Sequence, residues 1–201
     1  MKSFRKLLFI IAIFSSPALA QQSKEMGLKF ASSQMKDDKD VVILSVMKNG
    51  LELQYASKNM QDNKDIAMAA VSQNGLALQY VSDRLKDNKD VVTQAVLKDG
   101  NALQYASENL RGYKDTVMVA VKKDGLALKY ALDQLKDDKD VVIEAAMQNG
   151  DALQYASSNL KNDKDILVAV MKRKASNQNQ VVIEGNKTIF TGTNNLNSTK
   201  K

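Results

Sequence analysis

The amino-acid sequence predicts an all-α fold, an α-solenoid built from 25-residue helix-turn-helix repeats. Three observations predict this fold: glycine, tyrosine and the dipeptide Lys-Asp each recur at a strict spacing of 25 residues. A fixed period of this length is typical of stacked supersecondary units that contact mainly their neighbours. The recurring glycines and tyrosines, which we expect to be structural, are Gly50, Gly75, Gly100, Gly125, Gly150, Tyr55, Tyr80, Tyr105, Tyr130 and Tyr155.

Each repeat is predicted to contain two short helices. In the first whole repeat, helix A covers about residues 39–49, and Gly50 suits the left-handed position that ends a helix. Asp37 suits a cap at the positive end of helix A. Helix B covers about residues 51–60, and its narrow polar strip predicts packing on both sides. One copy buries too little apolar surface to offset the entropy of folding, so the repeats must stack.

The two ends of the array are predicted to be half repeats. Residues 26–35 match helix B alone, and residues 164–174 match helix A alone. The array is therefore a half repeat, five whole repeats and a second half repeat. A leucine-rich repeat has a similar period and is the alternative fold. Its strand needs alternating apolar residues, whereas segments such as "LALQYVS" show spacings of three and four, which favour a helix.

The first 20 residues have the pattern of a secretory signal peptide. A basic start precedes the apolar run Leu7–Phe14, and Ala18-Leu19-Ala20 predicts cleavage between Ala20 and Gln21. The run is too short for a membrane span, which needs about 20 apolar residues. We therefore expect residues 21–174 to form the helical array of an exported protein, periplasmic or secreted, without a membrane anchor.

Residues 175–201 form a polar tail in which the 25-residue period stops. Within it, residues 181–190 contain two β-prone runs around Gly185-Asn186, a pair that suits a two-residue hairpin turn. The tail is therefore compatible with a β-hairpin that places Glu184 opposite Lys187.

The charge distribution argues against binding to nucleic acid. The whole chain has a formal net charge of +6, but the basic excess lies at the two ends. Residues 21–171 contain 20 basic and 22 acidic residues. Nucleic-acid binding depends on many basic groups gathered on one face, and this body has no basic excess.

The composition also argues against catalysis. The chain has no histidine and no cysteine, which removes the most common general base, metal ligands and thiol nucleophile. The remaining polar groups recur in several repeats, whereas a catalytic site needs a unique constellation. We expect no enzyme activity, no cofactor and no metal. Acidic turns such as "KDDKD" leave calcium binding open beside helix capping, although they lack the order of a calcium loop.

Candidate binding residues are sought at outward positions where the repeats differ from one another. Several of these positions are apolar, which indicates a partner surface, although drift on a solvated face would give the same pattern. The tyrosines leave a similar choice between a stacking platform for sugars or peptides and packing between repeats. The predicted binding face comprises Leu44, Met47, Gln54, Gln79, Gln94, Leu97, Gln104, Val119, Lys129, Glu144, Met147 and Gln154.

The repeat resembles a known family. The residues that carry the resemblance are Val91-Val92, Ala95-Val96, Asp99-Gly100, Ala102-Leu103 and Tyr105-Ala106-Ser107. They are similar to the tandem repeat called domain of unknown function 4116. The resemblance spans about residues 26–173 and implies tandem α-hairpins without known catalytic residues. Gly112-Tyr113 departs from the usual acidic pair and puts the cap of the fourth helix A in doubt.

These observations predict an exported, non-enzymatic scaffold for a protein or peptide partner. The alternative is a structural or self-assembling element of the cell envelope, which would make the chain a homo-oligomer.

Overall fold

The computed structural model describes residues 27–178, 181–184 and 187–190. The predicted signal peptide and its cleavage site between Ala20 and Gln21 lie outside the described residues, as do residues 191–201. We number the whole repeats 1 to 5, covering residues 39–63, 64–88, 89–113, 114–138 and 139–163. Residues 27–38 are the N-terminal half repeat, and the C-terminal half repeat begins at Lys164.

Each whole repeat begins with an α-helix of ten residues, which we call the long helix. In repeat 1 its first N–H groups are capped from the preceding position, where Asp38 Oδ1 accepts from the backbone N–H groups of Asp40 and Val41. The same position caps the long helices of repeats 2, 3 and 5, but Tyr113 gives no side-chain cap to that of repeat 4, where the sequence put the cap in doubt. The cap expected at Asp37 is therefore wrong by one residue. The long helices are Lys39–Lys48, Lys64–Gln73, Lys89–Lys98, Lys114–Lys123, Lys139–Gln148 and, in the C-terminal half repeat, Lys164–Gln178.

The second part of each repeat is not the single helix that the sequence predicts. A six-residue 3-10 helix is followed by two extended residues, and in most repeats by one turn of α-helix. In the whole repeats the 3-10 helices are Gly50–Tyr55, Gly75–Tyr80, Gly100–Tyr105, Gly125–Tyr130 and Gly150–Tyr155, and the N-terminal half repeat has a shorter one of three residues, Leu28–Phe30. The short α-helices are Ser33–Lys36, Lys58–Gln61, Asp83–Lys86, Glu108–Arg111 and Asp133–Lys136.

The break in this second part has a cause outside the repeat. Ser57 is extended, with ψ of 160°, and its hydroxyl oxygen accepts from the backbone N–H of Met60. Its own N–H donates to the carbonyl of Lys36 in the preceding unit at 2.8 Å. A helical N–H would be bonded within its own helix, so this bond between repeats requires the helix to stop.

The recurring glycines are also explained by contacts between repeats. None of Gly50, Gly75, Gly100 and Gly125 has the left-handed backbone that the sequence predicts for Gly50. Instead, each opens a 3-10 helix and lies against the long helix of the following repeat. A Cβ atom on Gly50 would lie 2.3 Å from the backbone oxygen of Ala70, so only glycine allows this approach.

The core runs the length of the array between two layers. Consecutive long helices pack on one another, consecutive 3-10 helices do the same, and the two layers face each other. Repeat 3 illustrates the core, with Val92, Val96, Ala102 and Leu103 fully buried. The equivalent positions in the other repeats are mostly Val, Leu and Ala, so small side chains allow close stacking. The described chain is an α-solenoid of 25-residue repeats, as predicted.

The C-terminal end differs from the interior repeats. Its long helix continues to Gln178, beyond the boundary expected at Lys174, because Ala175 is a strong helix former where the interior repeats have glycine. Strands Val181–Glu184 and Lys187–Phe190 pair antiparallel, with Glu184 opposite Lys187 as expected for a hairpin. Among the described helices, none is long and apolar enough to cross a bilayer.

Candidate interaction surface

The outward side of the long helices carries one part of the predicted binding face, which we call the long-helix face. It consists of two columns with one residue each per repeat. Leu44, Met47 and Leu97 are large apolar side chains exposed by 58%, 62% and 52%. Ala69 and Ser72 separate the first two from Leu97, so the apolar surface is interrupted in repeat 2. Four other residues predicted for this face are half-buried, namely Gln94, Val119, Glu144 and Met147.

The second part of the predicted face lies along the 3-10 helices. Its five members are exposed or half-buried, namely Gln54, Gln79, Gln104, Lys129 and Gln154. Three of the glutamines donate from Nε2 to the carbonyl three residues earlier, as Gln104 does to Asn101 at 3.1 Å. The Lys129 ammonium lies 4.6 Å from the ring centroid of Tyr130. Most of these side chains therefore already make local contacts.

A cavity of about 660 Å³ opens between repeats 1 and 2 on the 3-10 side. Gln54, Gln79 and Tyr80 contribute to its lining. Beneath it, Gln61 is buried and donates from Nε2 to the carbonyls of Leu53, Gln54 and Ala56 at 3.2 to 3.4 Å. The polar floor of this cavity is thus bonded to the backbone of its own repeat.

The acidic turns join neighbouring repeats. The Ser82 hydroxyl donates to the carboxylate of Asp62 in the preceding repeat, and the guanidinium of Arg84 contacts the same carboxylate at 3.1 Å. These two hydrogen bonds hold the pKa of Asp62 below its usual value. The same pairing of serine with aspartate recurs as Ser57–Asp37, Ser107–Asp87 and Ser157–Asp137. We call this series the serine–aspartate ladder.

The recurring Lys-Asp dipeptides form a second series, the lysine–aspartate ladder. Lys39 Nζ contacts Asp65 Oδ2 of the next repeat at 2.6 Å, and Lys64 contacts Asp90 at the same distance. These lysines lower the pKa values of Asp65 and Asp90, chiefly through the hydrogen bonds. The ladder continues with Lys89–Asp115, Lys114–Asp140 and Lys139–Asp165, at 2.9 to 3.5 Å.

The described residues contain no group of three or more acidic side chains arranged to hold a metal ion. The carboxylates of the acidic turns are used instead for caps and for the two ladders. All five recurring tyrosines are half-buried and pack against the core. Tyr113, which lies outside that series, is 42% exposed and has the Lys89 ammonium 4.5 Å from its ring centroid.

Sequence reasoning missed both ladders, although two signals for them are present. Lysine and aspartate recur with the same period, so each lysine has an aspartate of the next repeat at a constant offset. In addition, Asp is replaced by Gly112 in the one repeat junction where Ser is replaced by Leu132. Paired departures of this kind indicate contact.

The fold and the two ladders define this molecule as an α-solenoid repeat protein whose units are joined by polar bonds along one edge. Comparison with models of known protein families identifies the family of the chain. The family described as Domain of unknown function (DUF4116) matches residues 22–61, 63–111, 113–161 and 147–177, and the chain belongs to this family. The matches to residues 63–111 and 113–161 each cover two of the 25-residue repeats. No curated protein and no solved structure matches the chain.

Proposed function

We propose that this protein is an exported, non-enzymatic scaffold that binds a protein or peptide partner through its long-helix face. The observation that carries the proposal is the exposure of Leu44 and Met47 on one helix and of Leu97 two repeats away. Side chains of this size are buried at most other apolar positions of the array, and exposed apolar groups gathered on one face are typical of binding surfaces.

The chemistry of the chain supports a binding role over catalysis. Histidine and cysteine are absent from the sequence. Asp65, Asp90 and Lys139, whose pKa values are shifted, are exposed partners in the lysine–aspartate ladder, and equivalent residues recur from repeat to repeat. A scaffold that presents the same frame several times needs only variable outward residues to select a partner.

The binding face is tested with a matched pair of charge-adding variants. Leu44→Glu with Met47→Glu places two carboxylates on the long-helix face, and Gln154→Glu with Ser158→Glu places two on the 3-10 side. Each is used as bait in an extract of the periplasm of the source cells, after circular dichroism has verified folding. We expect the first pair to lose the partner captured by the native chain and the second pair to retain it. Retention by both would remove the case for the long-helix face.

Export is tested separately. We propose that residues 1–20 direct secretion and are removed, and the apolar run Leu7–Phe14 followed by Ala18-Leu19-Ala20 supports this. N-terminal sequencing of the chain recovered from the periplasmic fraction is expected to begin at Gln21. Recovery from the cytoplasm with residue 1 intact would contradict export.

A further inference from the structure

At the two ends of the array lie a donor and an acceptor equivalent to those that form hydrogen bonds between the interior repeats. At each interior junction, a backbone N–H donates to a carbonyl of the preceding repeat, from Ser57 to Lys36 at 2.8 Å through Ser157 to Lys136 at 2.8 Å. If this series is extended by one repeat towards the N-terminus, its donor is the N–H of Ser32. If it is extended by one repeat towards the C-terminus, its acceptor is the carbonyl of Lys161. Within the part of the chain that the structure describes, neither group has a hydrogen-bond partner.

The lysine–aspartate ladder is open at the same two ends. Every interior pair joins a lysine to the aspartate 26 residues later. Lys164 in the last long helix has no such aspartate after it, and Asp40 has no such lysine before it. Neither side chain has an ion-pair partner among the described residues. The C-terminal end therefore presents a cation where the N-terminal end presents an anion.

Apolar surface accompanies these open bonds. Met171 is 66% exposed, whereas the equivalent residue is fully buried in repeats 1 to 5, as Val96 is in repeat 3. At the other end, Met35 is 40% exposed, whereas the equivalent Leu85 is fully buried and Leu110 is nearly so. Met60 and Leu160, which are also equivalent to Met35, are half-buried. Each end thus exposes an apolar side chain whose equivalents in repeats 2 to 4 are buried.

The two ends also supply different secondary-structure elements, which together make one whole repeat. The N-terminal unit supplies only the 3-10 and short helices of a repeat, and the C-terminal unit supplies only the long helix. We propose that the C-terminal end of one copy binds the N-terminal end of a second copy, so that the two half repeats complete one repeat. Because the two surfaces differ, the contact is heterologous. Because it continues the stacking of the interior repeats, it generates open chains of copies. This contact is separate from the long-helix face.

The proposed junction repeats the interior bonds. Lys164 pairs with Asp40 of the second copy, and the carbonyl of Lys161 accepts from the N–H of Ser32. Asn162 stands where other repeats carry the aspartate of the serine–aspartate ladder, so its amide oxygen accepts from the Ser32 hydroxyl.

Sedimentation velocity of the chain beginning at Gln21 tests the proposal, over a range from about 10 μM to about 1 mM because small interfaces bind weakly. We expect the mean mass to rise past that of two copies. Met171→Glu is expected to weaken association about tenfold or more, because a carboxylate would be buried at the junction. Lys98→Glu is the control, because it adds a carboxylate at an exposed position of the long helix of repeat 3, away from both ends, and it should have no effect.

Three outcomes of that series would overturn the proposal. They are a chain that stays monomeric throughout, association that stops at two copies, and equal loss of association in Lys98→Glu and Met171→Glu.

Charge exchange gives a second test that does not depend on apolar contact. Lys164→Asp and Asp40→Lys each place like charges at the junction and should each weaken association. An equimolar mixture of the two variants should restore it, because every junction between unlike copies again joins opposite charges. A mixture that associates no better than either variant alone would contradict the proposed geometry.

Discussion

Leu132 lies against Gly112 at the junction between repeats 3 and 4, where the neighbouring junctions join a serine hydroxyl to an aspartate. A Cβ atom on Gly112 would lie 2.9 Å from Leu132 Cδ1, so the larger apolar residue occupies the space that the smaller one leaves. Leu132 provides no side-chain cap to the short helix that follows it, unlike Ser107 in repeat 3. The two departures from the repeat pattern therefore form a pair at one position of the serine–aspartate ladder, in which the larger Leu132 compensates for the smaller Gly112.

A double-mutant cycle at this junction tests that compensation. Gly112→Asp alone should destabilise the fold by about 1–3 kcal/mol, because its Cβ meets Leu132 and its carboxylate finds no hydroxyl. Leu132→Ser alone should also destabilise, because it removes buried apolar surface. The double variant restores the ladder, so we expect a coupling free energy of at least about 1 kcal/mol from urea unfolding. Additive effects of the two changes would show that these residues do not act as a pair.

The sequence predicted the features of this fold that depend on local pattern. The period, the long helices and the antiparallel pairing of Glu184 with Lys187 follow from residue spacing and turn chemistry. The break after the 3-10 helix was missed because the Ser57 N–H bonds a carbonyl of the preceding unit. Segments whose conformation is set by a neighbouring repeat cannot be assigned from their own helix propensity.

The same limit applies to single residues. Asp37 and Asp38 are chemically alike, yet one bonds the hydroxyl of Ser57 and the other caps the long helix. Only the position of the next repeat distinguishes their roles. Outward positions were easier to predict, because variation between repeats marks them directly, and Leu44 and Met47 are among the most exposed apolar residues described.

Replacement of a recurring glycine tests the explanation by close approach. A Cβ on Gly100 would lie 2.6 Å from the backbone oxygen of Ala120 and 2.9 Å from Cβ of Asp124. Gly100→Ala should therefore destabilise by about 1–3 kcal/mol, measured by urea unfolding. Gly100→Asn should be no better than alanine. A clear advantage of asparagine would instead indicate a left-handed backbone, which asparagine tolerates.

The ladders predict how stability depends on pH. Because the pKa values of Asp65 and Asp90 are lowered in the folded chain, their contribution is present above the unfolded value of about 3.9 and is lost as the pH falls through the folded values. The pKa values of Lys114 and Lys139 are raised by their aspartate partners, so their contribution is lost only above about pH 10.4. With no histidine in the chain, the melting temperature should be nearly constant between about pH 5 and pH 9.

Substitutions of two aspartates test whether the lysine–aspartate ladder causes this dependence of the melting temperature on pH. Asp65→Asn with Asp90→Asn should lower the melting temperature at pH 7, and the difference from the native chain should shrink as the pH falls through the lowered pKa values of these two carboxylates and vanish once both are protonated. Asp151→Asn is the control, because this exposed side chain takes part in neither ladder. A difference that persists unchanged at low pH would mean that the ion pairs do not cause it.

Removal of one whole repeat tests whether stability depends on contacts between neighbours. Deletion of residues 64–88 brings Lys39 to Asp90 and Asp62 to Ser107, so both ladders and the glycine contact are rebuilt with residues of the same type. We expect a folded, helical chain with a lower melting temperature, because one junction is lost while the remaining ones are kept. Deletion of residues 64–75 removes fewer residues but breaks the period, and it should abolish cooperative melting followed by circular dichroism. If the shorter deletion were the better tolerated of the two, the stability of this array would not depend on the register of its repeats.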